Sequence, residues 1–328
     1  MILGTLKAGG RDGTLIVVNP ERTHAVVARV ASTLQRALDD WETVSPVLAT
    51  IAHELAARTR PDAFPIVLEE LAAPLPRAYA FLDGSAYHNH MAPIRQVRGA
   101  KVPDDFFEKP LMYQGLSDKV IGPTDPILLR EDEAYGIDIE AEIIVITGDV
   151  PQGVTPEQSS GYVRLLGLLN DVSLRGLIPA EIGRGFGFVQ GKSASSMGPF
   201  VVTPDEVGDL WNGKLLSGSY KCYIRGELIG DLDPGKDATF DYTDLIAHAA
   251  KTRELSAGTI IGAGALANAE RQHGSGCIAE ARAREHLAHG TPKTEYLRFG
   301  DRLRLEFLDR EGHSVFGAID QTVEKWEG

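Results

Sequence analysis

The stretch Gly136-Ile137-Asp138-Ile139-Glu140-Ala141-Glu142-Ile143-Ile144-Val145-Ile146 alternates apolar and acidic residues and then runs into β-branched ones. A period of two is the pattern of a strand. Side chains two apart on a strand point the same way. Asp138, Glu140 and Glu142 therefore share one face, and Ile137, Ile139, Ala141 and Ile143 the other. Neighbouring carboxylates about 6.5 Å apart on that face repel by roughly 2.5 kcal/mol at an effective dielectric of about 20. Open water, a proton or a cation has to offset this. Two readings stand. One is a solvated strand face that blunts a sheet edge. The other is a hard-cation site, because carboxylate oxygens without nitrogen or sulfur suit magnesium, calcium or manganese.

On the C-terminal side, Thr155-Pro156-Glu157-Gln158 has the residues of a helix start, with capping-box spacing and proline in the first turn. Tyr162, Leu165, Leu166 and Leu169 then read as its buried stripe. The helix is expected to deliver Asn170-Asp171-Val172-Ser173-Leu174-Arg175 at its end. An acid there faces the negative end of the macrodipole, at a cost of roughly a few tenths of a kcal/mol. A cation shared with Glu140 and Glu142 would relieve it; local capping by Asn170 and Asp171 is the alternative. The glycine-rich run from Gly183 to Ser193 lets backbone approach a ligand closely and points Lys192 at it, or else is a surface loop; Phe186, Phe188 and Val189 are hard to leave in water. It is not a phosphate loop, since Phe186 stands where that motif needs glycine. Nor is it a nucleophile elbow, since Ser195 stands where glycine is required. Leu245 to Ala250 reads as a short helix capped by Thr243 or Asp244. Ala257 to Gly264 reads as a buried strand entering a glycine turn, and Arg298 to Thr322 as a hairpin. Glu280, after the small residues Gly274 to Ala279, fits either a pocket wall, where burial would suit it to proton transfer, or a surface helix start.

Toward the N-terminus, Asp83-Gly84-Ser85 is a turn leading through His88 and His90 into a helix that stops at Arg98-Gly99. Those histidines fit metal ligands, acid–base groups or a helix surface. Tyr113, in Leu111-Met112-Tyr113-Gln114-Gly115, is either packed or part of a loop covering a site. Residues 1 to about 75 read as a small separate module of two short strands and two helices. The proline-stiffened Leu71 to Pro76 marks its boundary with residues 76–328.

The 46 acidic against 33 basic residues, a formal charge of −13, argue against nucleic acid as a partner. An anionic substrate would need a local cluster of Arg, Lys or metal. No apolar run approaches the ~20 residues of a membrane span. Two cysteines, Cys222 and Cys277, cannot build a disulfide framework or a cysteine-rich zinc site. With no signal-peptide pattern at Met1 to Lys7, a cytoplasmic location is the expectation.

Taken together, the motifs resemble the fumarylacetoacetate hydrolase family, most closely its bacterial members, over nearly the whole length. The carriers are Asp83 with His90 seven residues on, Leu111 to Gly115, Asp138 to Glu142, Leu169 to Arg175, Gln190-Gly191-Lys192-Ser193, and Gly276 to Glu280. The resemblance implies an α+β, β-rich fold: a mixed β-sandwich roll behind a small N-terminal α/β domain, usually in a homodimer. It implies Asp83, Glu140, Glu142 and Asp171 as metal-binding carboxylates for Mg2+ or Ca2+, with Mn2+ also accommodated. Lys192 and Ser196 lie near positions touching a cation and the substrate. Ser85, Arg98 and Tyr113 fall near substrate-contacting positions, and Arg175 is counted with them. His90 matches the general base and Glu280 the carboxylate that orients it, with His88 as the alternative base. The implied activity is metal-dependent hydrolysis of a carbon–carbon bond in fumarylacetoacetate or a related acylpyruvate. The alternatives on the same fold are an oxaloacetate-type decarboxylase, an isomerase or hydratase of ring-cleavage products, or a non-catalytic binding protein. One departure bears on substrate: Ala265 stands where the family often has a substrate-contacting threonine.

Overall fold

The computed structural model describes residues 1–328. It opens with strands β1 (Ile2–Leu6), β2 (Thr14–Val18) and β3 (His24–Val27), helices α1 (Leu34–Asp39) and α2 (Trp41–Ala56), and a short β4 (Phe64–Pro65). Next come β5 (Phe81–Gly84), α3 (His88–Val97), β6 (Met112–Gln114), β7 (Ile127–Leu129), β8 (Ile137–Asp138) and β9 (Ala141–Thr147). The middle holds α4 (Pro156–Ser159), β10 (Val163–Asn170), β11 (Ser173–Leu174), α5 (Ile178–Ile182) and β12 (Ser196–Val202). The chain ends with β13 (Ser219–Ile224), β14 (Glu227–Leu232), α6 (Tyr242–Ala249), β15 (Ile260–Gly262), α7 (Ile278–His289), β16 (Arg302–Leu308) and β17 (Ser314–Lys325). No helix is long and apolar enough to cross a membrane.

The strands make one large sheet of ten, in the order β4-β3-β2-β1-β12-β10-β9-β15-β5-β6, one of five, β14-β13-β16-β17-β7, and a small pair, β11-β8. The fold is thus mixed α+β and sheet-rich. β1 pairs with β12 through Ile2↔Val202 and Leu3↔Val201, so the large sheet runs through the expected module boundary near residue 75. Its centre is covered on both sides. The five-stranded sheet packs on one face, where Leu166 and Leu168 share a core with Phe307, Phe316 and Ile319. Helices α1 and α2 cover the other, where Leu165 and Leu169 join Leu34, Leu38, Leu48 and Leu55.

That double cover explains where sequence patterning misleads. Helix α4 begins as expected, with Thr155 and Gln158 closing a capping box, but a short 3-10 turn ends it at Tyr162. Val163 to Asn170 is a central strand, not a helix. An apolar run buried on both faces has the same composition in either state. Asp171 therefore comes just after a strand end, and the macrodipole penalty expected for it does not apply. The acidic stretch is likewise not one continuous strand: it breaks at Ile139–Glu140 between β8 and β9. All three acids are buried, which overturns the solvated-face reading. The cap of α6 is Asp241, whose carboxylate accepts from the Thr243 and Asp244 backbone amides, rather than Thr243 or Asp244.

Candidate active site

Strand pairing sets the site. β15 runs parallel to β5, with Gly262 beside Asp83, and antiparallel to β9, with Gly262 beside Ile144. Glu140 and Glu142 reach the same region from the break before β9, and Asp171 from the end of β10. One oxygen from each of Asp83, Glu140, Glu142 and Asp171 lies within 4.8 Å of all the others, and all four residues are buried. A Cβ on Gly262 would stand 2.6 Å from both Asp83 Oδ1 and Glu142 Oε2, so glycine keeps the space between them open. Asp83 Oδ1 accepts from the Gly264 amide at 2.9 Å. Both oxygens of Glu142 lack any hydrogen-bond partner. Burying a carboxylate without a partner is costly. An oxygen-only donor set with two orphaned buried oxygens fits a hard divalent cation.

The charges around the cluster are divided. Lys192 donates to Glu140 Oε2 and Asp171 Oδ2, each at 2.6 Å, and to Ser173 Oγ at 2.8 Å. Arg175 bridges Asp138 Oδ2 at 2.8 Å and Glu140 Oε1 at 2.7 Å. Burial works against the charge of Glu140, yet Lys192, Arg175 and His90 hold its pKa down to about 2. Asp83, buried and facing Asp171, is pushed up to about 8, and burial beside Asp83 and Asp171 raises Glu142 well above the usual range. Burial opposes the charge of Lys192, but Asp171 and Glu140 raise its pKa. Asp83 and Glu142 are thus the two carboxyl groups of the cluster that no side-chain cation pairs with, and both are driven toward their protonated forms.

Asp171 is held further by Ser195, whose Oγ donates to its Oδ1 at 2.7 Å, and by the Tyr113 hydroxyl. The expectation for Ser196 is corrected by one residue. Its hydroxyl turns the other way and donates to Gln321 at 2.7 Å, because adjacent side chains entering a strand face opposite sides. Asp138 also leaves the cluster. Its carboxylate accepts from the Ile278 and Ala279 amides at 2.7 and 2.9 Å and so anchors the first turn of α7.

A cavity of about 370 Å³ opens above the cluster. Asp83, Ser85, His90, Arg98, Tyr113, Glu140, Arg175, Lys192 and Ala265 all line it, with Met91, Ile94, Ile178, Ile182 and Phe188 among its apolar wall. His90, on the first turn of α3, turns Nδ1 toward Glu280 Oε2 at 3.5 Å, and Glu280 on α7 is 0% exposed. That places Nε2 on the opposite edge of the ring. His88 does not line the cavity; its ring lies between Phe106 and Phe107, with centroids 5.7 and 5.0 Å away. A larger groove of about 1170 Å³ runs along β17, but it has no ligand cluster, and its Arg302 and Arg304 are already paired with Asp320 and Glu306.

The glycine-rich run forms part of the cavity mouth. The Glu181 carboxylate accepts from the Val189, Gln190 and Gly191 amides at 2.8–2.9 Å, pinning the run to α5. Phe188 turns inward and meets the edge of Tyr113 at 4.8 Å. Phe186 and Val189, expected to avoid water, are 98% and 86% exposed, since the backbone amides tie the loop in place without them. Ser195, Gly262 and the Glu181 tie were not anticipated from sequence. Glycines flanking a run of small residues, as in Gly262-Ala263-Gly264, were the available signal for close approach.

Residues 80–324 match the family described as fumarylacetoacetate (FAA) hydrolase C-terminal, and residues 1–77 match fumarylacetoacetase N-terminal domain 2. The mitochondrial oxaloacetate tautomerase of Xenopus laevis is 26% identical over 156 residues, 47% of this chain and 46% of that protein. The 2,4-didehydro-3-deoxy-L-rhamnonate hydrolase of Sphingomonas sp. (strain SKA58) is 33% identical over 104 residues, 31% of this chain and 35% of that protein. The chain thus spans less than half the length of these curated relatives. The structure of maleylpyruvate hydrolase from Sphingobium sp. SYK-6, in complex with manganese(II) and pyruvate, shares the fold at a TM-score of 0.67, with 18% identity and all of both chains covered. With three quarters of its residues aligned to one family and a second matching region before them, the chain belongs to the fumarylacetoacetate hydrolase family.

Proposed function

We propose that the protein is a metal-dependent hydrolase that cleaves a carbon–carbon bond in a 1,3-diketo acid such as fumarylacetoacetate or a related acylpyruvate. The observation that carries this reading is that His90, backed by the buried Glu280, stands on the wall of the same cavity that Asp83 and Glu140 of the four-carboxylate cluster line. Asp83, Glu140, Glu142 and Asp171 would hold the divalent cation, magnesium, calcium or manganese. When bound, it supplies Lewis-acid polarisation of the substrate's acid and keto oxygens.

The chain's own residues supply the rest. Glu280 engages His90 at Nδ1, fixing the ring so that Nε2 accepts a proton from water in the cavity. The hydroxide so formed attacks the distal carbonyl, and the bond to the central carbon breaks to leave an enolate. Lys192, fixed by Glu140, Asp171 and Ser173, places a permanent positive charge beside that oxygen. Arg98 on the cavity wall suits the substrate's carboxylate, and Arg175, which already bridges Asp138 and Glu140, adds positive charge beside it. Ala265 leaves an apolar spot on that wall where a hydroxyl would select a polar group.

A second reading keeps the site and replaces hydrolysis by proton transfer, with His90 moving a proton between carbon and oxygen of a keto acid. It is favoured by the similarity to a protein that is an oxaloacetate tautomerase. The test is a spectrophotometric assay on fumarylacetoacetate, acetylpyruvate and oxaloacetate, with magnesium and with EDTA. Metal-dependent loss of the diketo absorbance with stoichiometric acid products supports hydrolysis. Enol–keto exchange of oxaloacetate without cleavage of either diketo acid would replace the first reading by the second.

A further inference from the structure

The donors behind His90 differ in kind from the carboxylate cluster. His90 Nδ1 lies 3.5 Å from Glu280 Oε2 and 3.6 Å from Cys277 Sγ, and these three side chains each present one donor atom within 4.8 Å of the other two. They arrive from two elements: His90 from α3, and Cys277 and Glu280 from the start of α7, where Cys277 is the N-cap. Cys277 and Glu280 are fully buried. Glu280 Oε2 accepts no hydrogen bond. Arg284 stands 2.5 Å from the other oxygen, Oε1, and leaves Oε2 facing the histidine.

We propose that His90, Cys277 and Glu280 form a second metal site, selective for zinc, that competes with the use of His90 as a base. Zinc bonds of about 2.0–2.1 Å to nitrogen, 2.3 Å to sulfur and 2.0–2.2 Å to carboxylate oxygen, set at tetrahedral angles, require donor separations of about 3.3–3.6 Å. The two separations on His90 already have those lengths. A nitrogen–sulfur–oxygen set suits zinc and not magnesium, whereas the oxygen-only cluster suits magnesium, so the two sites sort the metals by chemistry. Binding breaks the Cys277 S–H bond and releases that proton to the buffer. Thiolate and carboxylate together then bring two negative charges to the ion, with Arg284 still paired to the far oxygen of Glu280. Coordination at Nδ1 takes Glu280 away from its role toward His90 and commits the ring's lone pair to the metal. The consequence for turnover rests on the proposed function; the site itself does not.

The experiment uses the full chain in saturating Mg2+, which occupies the carboxylate cluster, with Co2+ as the optical probe and Zn2+ as its competitor. A sulfur-to-cobalt charge-transfer absorption is expected, bleached by Zn2+, because only a thiolate produces it. Cys277→Ser should lack the band. Cys222→Ala should keep it, which assigns it to Cys277 even if the serine variant does not fold. No band in the unmodified protein, or a band that survives Cys277→Ser, overturns the site. Turnover is read separately, each protein relative to its own zinc-free rate. Loss of a coordinating sulfur should lower zinc sensitivity by more than the roughly 10–100-fold typical of an outer-shell partner. Equal sensitivity in both proteins overturns the inhibitory role. An absorption band in a protein that turns over no diketo acid would refute the hydrolase reading and leave the zinc site standing.

Discussion

Replacing Gly262 by alanine should weaken metal binding at the carboxylate cluster at least roughly tenfold while leaving the fold in place. The added Cβ would lie 2.6 Å from Asp83 Oδ1 and 2.6 Å from Glu142 Oε2, and real Cβ atoms do not approach below 3.0 Å. Each carboxylate therefore has to retreat by roughly 0.4 Å or more, twice the tolerance of about 0.2 Å on a metal–ligand distance. Asp83 retreats only by stretching its bond from the Gly264 amide. Two displaced ligands should cost at least the roughly 10–100-fold in affinity seen on losing an outer-shell partner, or about 1.4–2.8 kcal/mol. Overpacking adds about 1–3 kcal/mol of destabilisation. Titration calorimetry with Mn2+ and Mg2+, beside thermal unfolding, separates the two effects. Gly167→Ala is the control: its Cβ meets only apolar atoms, Val201 Cγ1 at 3.1 Å and Ile144 Cγ1 at 3.4 Å, so it should lose stability but not affinity. A folded Gly262→Ala protein with wild-type affinity would refute the assignment of the gap between Asp83 and Glu142 as the cation's seat.

Lys192→Met leaves Glu140 and Asp171 buried without their shared cation, and should cost about 3–5 kcal/mol in urea unfolding with EDTA, partly recovered by added Mg2+. Metal affinity should rise with pH up to about 8, because Asp83 carries a proton below that value and has to release it; calorimetry in buffers of different ionisation enthalpy should count at least one proton released at neutral pH. In the metal-free protein the same raised pKa makes Asp83 stabilising below its unfolded value of 3.8, and that contribution is lost as pH climbs to about 8, which thermal melts across the window will register. Asp138→Asn weakens the anchoring of α7 and the Arg175 pair, at about 1.5–3 kcal/mol for each charged bond lost, and should lower kcat more than it raises KM because Glu280 rides on that helix turn. Phe188→Ala removes an aromatic edge contact worth about 0.5–1.5 kcal/mol and should raise KM with little change in Tm, since its neighbours Phe186 and Val189 already lie in water.

Much of the site was legible because carboxylates are expensive to crowd. Glu140 and Glu142, two apart in an apolar run, demanded compensation before any partner was known, and the structure supplies Lys192 and Arg175 on one and leaves the other orphaned. The helix start at Thr155 was legible because a capping box is local chemistry. The strand from Val163 to Asn170 was not: it is buried on both faces, and a run with no polar face carries no period. The role of Asp138 was hidden for a similar reason. Alternation places it with Glu140 and Glu142, but the break before β9 turns it onto the amides of α7, a partner 140 residues away. The Ser195–Ser196 correction is a register error of one residue, which at a strand entry reverses the side chain. The shared sheet of β1 and β12 joins residues about 200 apart and has no local signature at all.

The most direct measurement of the central claim is turnover of acetylpyruvate and fumarylacetoacetate in heavy-oxygen water, with mass spectrometry of the acid products from the wild-type and His90→Ala proteins. Water activated by His90 predicts one solvent oxygen in the released acyl product, loss of cleavage with EDTA, and loss of cleavage in His90→Ala at unchanged metal affinity. Cleavage that carries no solvent oxygen into the acyl product, or that persists in His90→Ala, would contradict it.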